Sequence, residues 1–262
     1  MIGPDREQET AADRAVSDVL AFTLVFSIII TSVGLVYVFG MGALGDAQVS
    51  EQNRNAERAF ETITVSFNDL QDGRGEERLS QLNPRGGRIS VEESPTVTIS
   101  AGGSAIVDAD GDPIADRAVG SLNYAHEGTT ISYELGAAFR ADEGNSVLIR
   151  PPEFVCTTSG SGSDRAVLSY PNLASTQPSS VSTSSTLRIR ATSAPAVVTR
   201  STASDLTIEI EDSTHADAWA RYFEDNGWTD VDGPSGSTGD VEATCDTDVT
   251  YVRETGVEVD LL

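Results

Sequence analysis

No lysine occurs in the 262 residues: all 17 basic residues are arginine, and they face 41 aspartates and glutamates. The formal charge of −24 excludes a nucleic-acid partner, because phosphate backbones are held by clustered Lys and Arg. Such a surface also repels anionic lipid headgroups. Histidine and cysteine are almost as scarce. His126 and His215 share no ligand spacing with Cys156 and Cys245, so these four make no zinc site. Neither a G-x-S-x-G elbow nor an N-x-[ST] sequon occurs, which removes one common hydrolase signal and the N-glycan acceptor.

Acidic excess can signal disorder, but apolar residues recur periodically here and point to a folded chain. The composition resembles that of secreted proteins of halophilic archaea, in which dense carboxylates keep a protein soluble in concentrated salt. At molar salt the screening length is about 3 Å, so self-repulsion is largely removed.

What the chain does have is one uncharged run of 27 residues, 19–45 (VLAFTLVFSIIITSVGLVYVFGMGALG). As a helix it would extend about 40 Å, more than the roughly 30 Å hydrocarbon core of a bilayer. It is too long for the apolar core of a cleaved secretory signal. The run therefore reads as a membrane span. Arg6 and Arg14 precede it and no basic residue follows until Arg54, which places the N-terminus inside and the bulk of the chain outside. On that side a disulfide between Cys156 and Cys245 is favoured over two separate buried thiols. Closing a loop of about 90 residues would contribute on the order of 4–5 kcal/mol.

Residues 1–15 are polar and aperiodic and read as a disordered cytoplasmic leader. Beyond Gly45 the apolar period changes. Val49, Asn53, Ala56, Phe60, Ile63, Phe67 and Leu70 form a heptad-like stripe, with Glu51, Arg54, Glu57, Arg58 and Glu61 on other faces. The spacing predicts one continuous helix over 16–72: span 19–45, amphipathic 46–70, ended by Asp72-Gly73 and Gly75. Gly40, Gly42 and Gly45 spell G-x-G-x-x-G, but a dinucleotide site needs a strand before it.

From Arg88 short alternating runs replace the helical period: 88–91, 96–100, 130–135, 146–150, 166–170, 186–191, 206–211 and 256–262. They predict a β-rich head over 73–262, mainly antiparallel and sandwich-like, which makes the fold class α+β. Leu206, Ile208 and Ile210 should face inward, as should Leu187 and Ile189, leaving Arg188 and Arg190 outward for cross-strand Arg–Glu pairs. One short late helix interrupts the strands. Ala216, Trp219, Ala220 and Phe223 make its apolar stripe, Thr214 with Asp217 resembles a capping box, and Asn226-Gly227 ends it. Residues 156–164 and 174–185 read as loops. Asp108, Asp110 and Asp112 (DADGD) miss the spacing of a calcium loop and read instead as a turn. No catalytic, cofactor or metal site is expected.

The junction Arg14-Ala15-Val16-Ser17-Asp18-Val19 resembles the processing site of archaeal type IV pilins and pilin-like proteins. The resemblance is specific over about 13–45 and architectural beyond. It implies that a prepilin peptidase cuts between Ala15 and Val16 and leaves the helix on the mature chain. It also implies a long helix, apolar first and amphipathic later, that bundles with other pilin-like subunits beneath an outward β-rich head. Bacterial members place an acid at the fifth mature position, here Leu20; this chain has Asp18 at the third, where it can pair with the new α-amine of Val16.

Two functions follow as expectations. One is a non-enzymatic, membrane-inserted subunit of a surface filament or related assembly. The other is a single-span anchored ectodomain for adhesion or ligand binding. An anchored hydrolase lacks a catalytic constellation.

Overall fold

The computed structural model describes residues 5–108, 111–157, 164–175, 180–233 and 239–262, with the side chains of residues 5–16 and of Asp46 outside that description. The chain divides into two compact units, Met1–Glu51 and Gln52–Leu262. Helix α1 spans Asp5–Gln71, so it is continuous through residues 44–49 as the stripe predicts. It starts earlier than expected: the leader from Asp5 is helical. Residues 5–15 (DREQETAADRA) are mostly good helix formers, with no Gly or Pro among them. The unit boundary also falls inside the helix, not at Asp72, because the stripe from Ala56 onward belongs to the core of the second unit.

At its end α1 closes with backbone bonds from Gly73 N–H to the Leu70 carbonyl and from Arg74 N–H to the Asp69 carbonyl. Gly73 stands at φ 74°, a conformation that costs a glycine little. The expected stop is therefore real.

The strands follow in order as β1 (Glu77–Leu82), β2 (Arg88–Glu92), β3 (Thr96–Ala101), β4 (Ser104–Ala105), β5 (Arg117–Ala118) and β6 (Ser121–His126). Next come β7 (Thr129–Glu134), β8 (Ala137–Asp142), β9 (Asn145–Arg150), β10 (Glu153–Thr157), β11 (Arg165–Ala174) and β12 (Ser180–Ser182). Then β13 (Leu187–Ser193), β14 (Val197–Ser201), β15 (Asp205–Glu211), helix α2 (Ala216–Asp225), β16 (Thr229–Asp232), β17 (Val241–Asp246) and β18 (Val249–Leu261) complete the chain.

These strands make three six-stranded sheets, which together form the mainly antiparallel, β-rich head that the alternation predicts. The first runs β1-β13-β18-β11-β10 with β14 also on β18; the second β12-β2-β6-β7-β8-β9; the third β16-β17-β15-β3-β4 with β5 on β3. Pairing is antiparallel apart from β11 on β18, which is parallel. Strand alternation gives the inward face of each strand but not the number of layers, which the crossovers decide.

Two cores result. The α1 stripe, Ala56, Phe60, Ile63, Phe67 and Leu70, packs with Ile89, Leu122, Tyr124, Ile131 and Tyr133 of the second sheet and Leu187, Ile189, Val257 and Val259 of the first. The other core joins Val97, Ile99, Leu206, Ile208 and Ile210 of the third sheet to Leu168, Tyr170 and Val252 of the first, beneath Trp219 and Phe223 of α2. The single strand β18 serves both. Thr250 and Val252 are buried on one face, Val257, Val259 and Leu261 on the other. A disulfide between Cys156 on β10 and Cys245 on β17 ties the first sheet to the third, with Cα atoms 5.8 Å apart.

Two local readings are corrected. The residue before α2 is His215, and no side chain caps the helix, so Thr214 and Asp217 form no capping box. Arg190 does make a cross-strand ion pair, but with an aspartate and not a glutamate: Asp260, directly across β13 and β18, at 2.6 Å. Of the two expected loops, 156–164 begins within β10, and β12 forms inside 174–185; residues 158–163 and 176–179 lie outside the described residues.

Phe67 is fully buried and sits edge-on to Tyr133, with ring centroids 5.1 Å apart. Phe67→Ala should lower unfolding stability by about 3–5 kcal/mol, whereas Val65→Ala, on the exposed side of the same turn, should cost under about 1 kcal/mol. Denaturant titration of the full chain in detergent, followed by tryptophan emission, measures both.

Candidate functional site: the exposed apolar helix and the polar groups of the head

In the first unit, Arg14, Ala15 and Val16 lie on the backbone of α1, and their side chains are outside the described residues. Asp18 is exposed. From Val19 to Leu44 every large hydrophobic side chain is more than half exposed, with Phe22 and Phe39 at 71%. At roughly 25 cal/mol per Å2 of apolar surface left in water, such a helix needs an apolar environment. It is long and apolar enough to cross a membrane. Its hydroxyls fit that environment: Thr23 Oγ1 donates to the Val19 carbonyl and Ser27 Oγ to the Thr23 carbonyl, both at 2.7 Å. Both of these hydroxyls are thus satisfied within the helix. Gly40, Gly42 and Gly45 are helical, with no strand before them, so they form no nucleotide fingerprint.

In the second unit, amides seat α1 on the head. Gln52 Nε2 donates to the Pro84 carbonyl at 2.8 Å and to the Tyr124 hydroxyl at 3.2 Å. Asn53 Nδ2 donates to Thr129 Oγ1 at 2.8 Å, and that hydroxyl donates to Asp142 at 2.7 Å. Arg140 extends the chain, bridging Asp142 at 2.7 Å and Glu57 at 3.2 Å. The Tyr133 hydroxyl donates to Asn68 Oδ1, and Gln71 Nε2 donates to Ser169 Oγ at 2.7 Å. Asn53, the polar member of the stripe, is buried as a register-setting amide would be. Gln52 and Gln71 sit one position beside stripe residues, so nothing in the apolar period marks them as anchors.

A second polar cluster was not legible in the sequence. Glu134 is buried and accepts from Ser213 Oγ at 2.6 Å and from Trp219 Nε1 at 2.7 Å. Burial holds its carboxyl above the ordinary range, while the two donors pull the other way. His215 stacks on Phe139, centroids 4.8 Å apart, with Nδ1 2.8 Å from Ser146 Oγ. Both members of that Ser–His pair are buried, so solvent barely reaches the hydroxyl. The alternation around 130–135 and the helical stripe around 216–223 were the available signals, but neither shows that these residues converge. Of the acidic turn, Asp108 accepts from Asp112 N–H at 3.0 Å and from Arg117 at 2.7 Å, and Asp110 lies outside the described residues.

A family model described only as a family of unknown function, DUF7289, matches residues 14–261, taking in the apolar helix and the head together. No curated protein and no solved structure matches the chain.

Burial lowers the His215 ring to about 4, so the fold favours its neutral form. As pH drops below about 6.5 the unfolded chain takes up this proton first, and stability falls until the folded ring also protonates near pH 4. The loss amounts to about 3 kcal/mol. Glu134 acts in the opposite sense, since its raised folded value adds stability as pH falls. His215→Gln should flatten the decline between pH 6.5 and 4 relative to wild type, measured as the denaturant midpoint at each pH.

Proposed function

The chain belongs to DUF7289, a family of unknown function, and we propose that it is a membrane-inserted, pilin-like subunit of a cell-surface filament or related assembly, without enzymatic activity. One observation carries this reading: a single helix, α1, is apolar and exposed over 19–44 and supplies the core stripe of a β-rich head over 56–70. That continuity supports reading the helix as a retained part of the mature chain. The disulfide suits a head on the oxidising side of the membrane. The acidic, lysine-free composition suits a halophilic archaeal surface. The likeness of Arg14-Ala15-Val16 to a prepilin peptidase site supports processing before Val16. Partners are then membrane lipid, the peptidase, and other pilin-like subunits through the helix.

Cleavage would place a charged α-amine among apolar helices, a cost of roughly 2.5–3.5 kcal/mol on insertion scales. Asp18 of the same or a neighbouring subunit offsets it. Asp18→Asn should leave membrane insertion intact and cut the yield of filaments seen by electron microscopy. N-terminal sequencing of mature protein should begin at Val16. A mature chain that retains Met1 or Ile2 would overturn this reading and leave a single-span anchored ectodomain.

A further inference from the structure

The face of the first sheet that carries α1 is not covered along its whole length. Strands β11 and β18 run parallel in register, with Ser169 opposite Arg253 and Val167 opposite Tyr251. Under the helix this face is core: Leu173, Val257 and Val259 are buried. The helix ends where Gln71 reaches Ser169. One row further on, the same face continues uncovered as Val155, Val167, Tyr251 and Arg200, which are cross-strand neighbours on β10, β11, β18 and β14. Val198, opposite Arg253, is 61% exposed, Val155 45% and Tyr251 38%. Arg200 lies over the Tyr251 ring, 5.9 Å from its centroid, and Arg165 is exposed at the end of β11. Glu153 flanks Arg253 at the helix-side corner.

This face is also anomalous in charge. Residues 165–204, which supply β11 and β14, contain four arginines and no carboxylate, so all 41 acids lie elsewhere. A chain kept soluble by carboxylates would not leave an apolar, cationic sheet face bare. Its complement is on the same molecule. On the outer face of the third sheet Glu209 stands directly opposite Glu242, with Glu211 two residues along β15 and Thr98, Thr207 and Thr244 between. Like charges directly opposed across strands are destabilising. Among the described residues no arginine pairs with these three glutamates. The first and third sheets bury their other faces in one common core, so both outer faces point away from it.

We propose that the Val198–Arg200–Tyr251 face of one copy docks on the Glu209–Glu242 face of a second copy, a head-to-tail contact between heads. A contact between two different surfaces repeats from copy to copy, and it builds an open array where the rotation between copies does not close into a ring. It deepens the filament reading and rests on it for its setting. At molar salt only charges in direct contact still attract, so the apolar residues supply the burial and Arg200 the register.

Cysteine cross-linking of the full chain in its native membranes or filaments tests this. The native cysteines are joined, so introduced thiols react alone. Val198→Cys with Glu242→Cys on one chain should give a covalent ladder with a short bis-maleimide. Mixed single variants should give dimers only. Adding Arg200→Glu should abolish most of the ladder, and Arg200→Glu with Glu209→Arg should restore it. Dimers from Val198→Cys alone would mean the face meets itself and would overturn the proposal. No ladder in material with visible filaments overturns this contact alone. A ladder in membranes that never yield filaments overturns the filament reading alone, and the absence of both overturns both.

Discussion

Burial of the α1 stripe holds the head together. Phe60, Ile63 and Phe67 fill the space between the first and second sheets, and each is essentially inaccessible to water. Each large side chain buried in this way contributes about 1.5–3 kcal/mol relative to exposure. Without the helix, the inward residues of β2, β6, β7, β13 and the second half of β18 would face solvent. The helix is therefore a structural member of the head, not a stalk attached to it.

Strand β18 carries this arrangement to the other core. Thirteen residues long, it exposes opposite faces to the two cores at its two ends. Its first half packs on the third sheet and its second half on the helix. The disulfide adds a covalent tie between the first and third sheets. The amide anchors have a different role. Gln52, Asn53, Asn68 and Gln71 contribute modestly each, about 1 kcal/mol net per hydrogen bond. As buried donors, Gln52, Asn53 and Gln71 penalise any slip of the helix that would leave them unpaired. Register comes from them and burial energy from the aromatics.

The partners of the polar groups divide along the same helix. Where side chains meet the sheets, polar groups are paired to the head; where they do not, hydroxyls turn back on their own helix, as at Thr23 and Ser27.

The amino-acid sequence by itself determined the apolar run, its length and the phase of the stripe, because helical periodicity is a local property of side-chain spacing. It likewise determined the inward faces of β13 and β15, the stop at Gly73, the stripe of α2 and the compartment logic that favoured the disulfide. It missed the helical leader, where composition favoured helix but no apolar period marked it. Only the tertiary structure decided what depends on residues far apart in the chain. That covers the division into three sheets, the parallel β11–β18 pair, the exchange of faces along β18, and the meeting of Glu134 with Ser213 and Trp219. It also decided that Arg190 faces Asp260 and that the sheet face beyond Gln71 is left open. Strand alternation states which way a side chain points, while strand order, which crossovers fix, states what it meets.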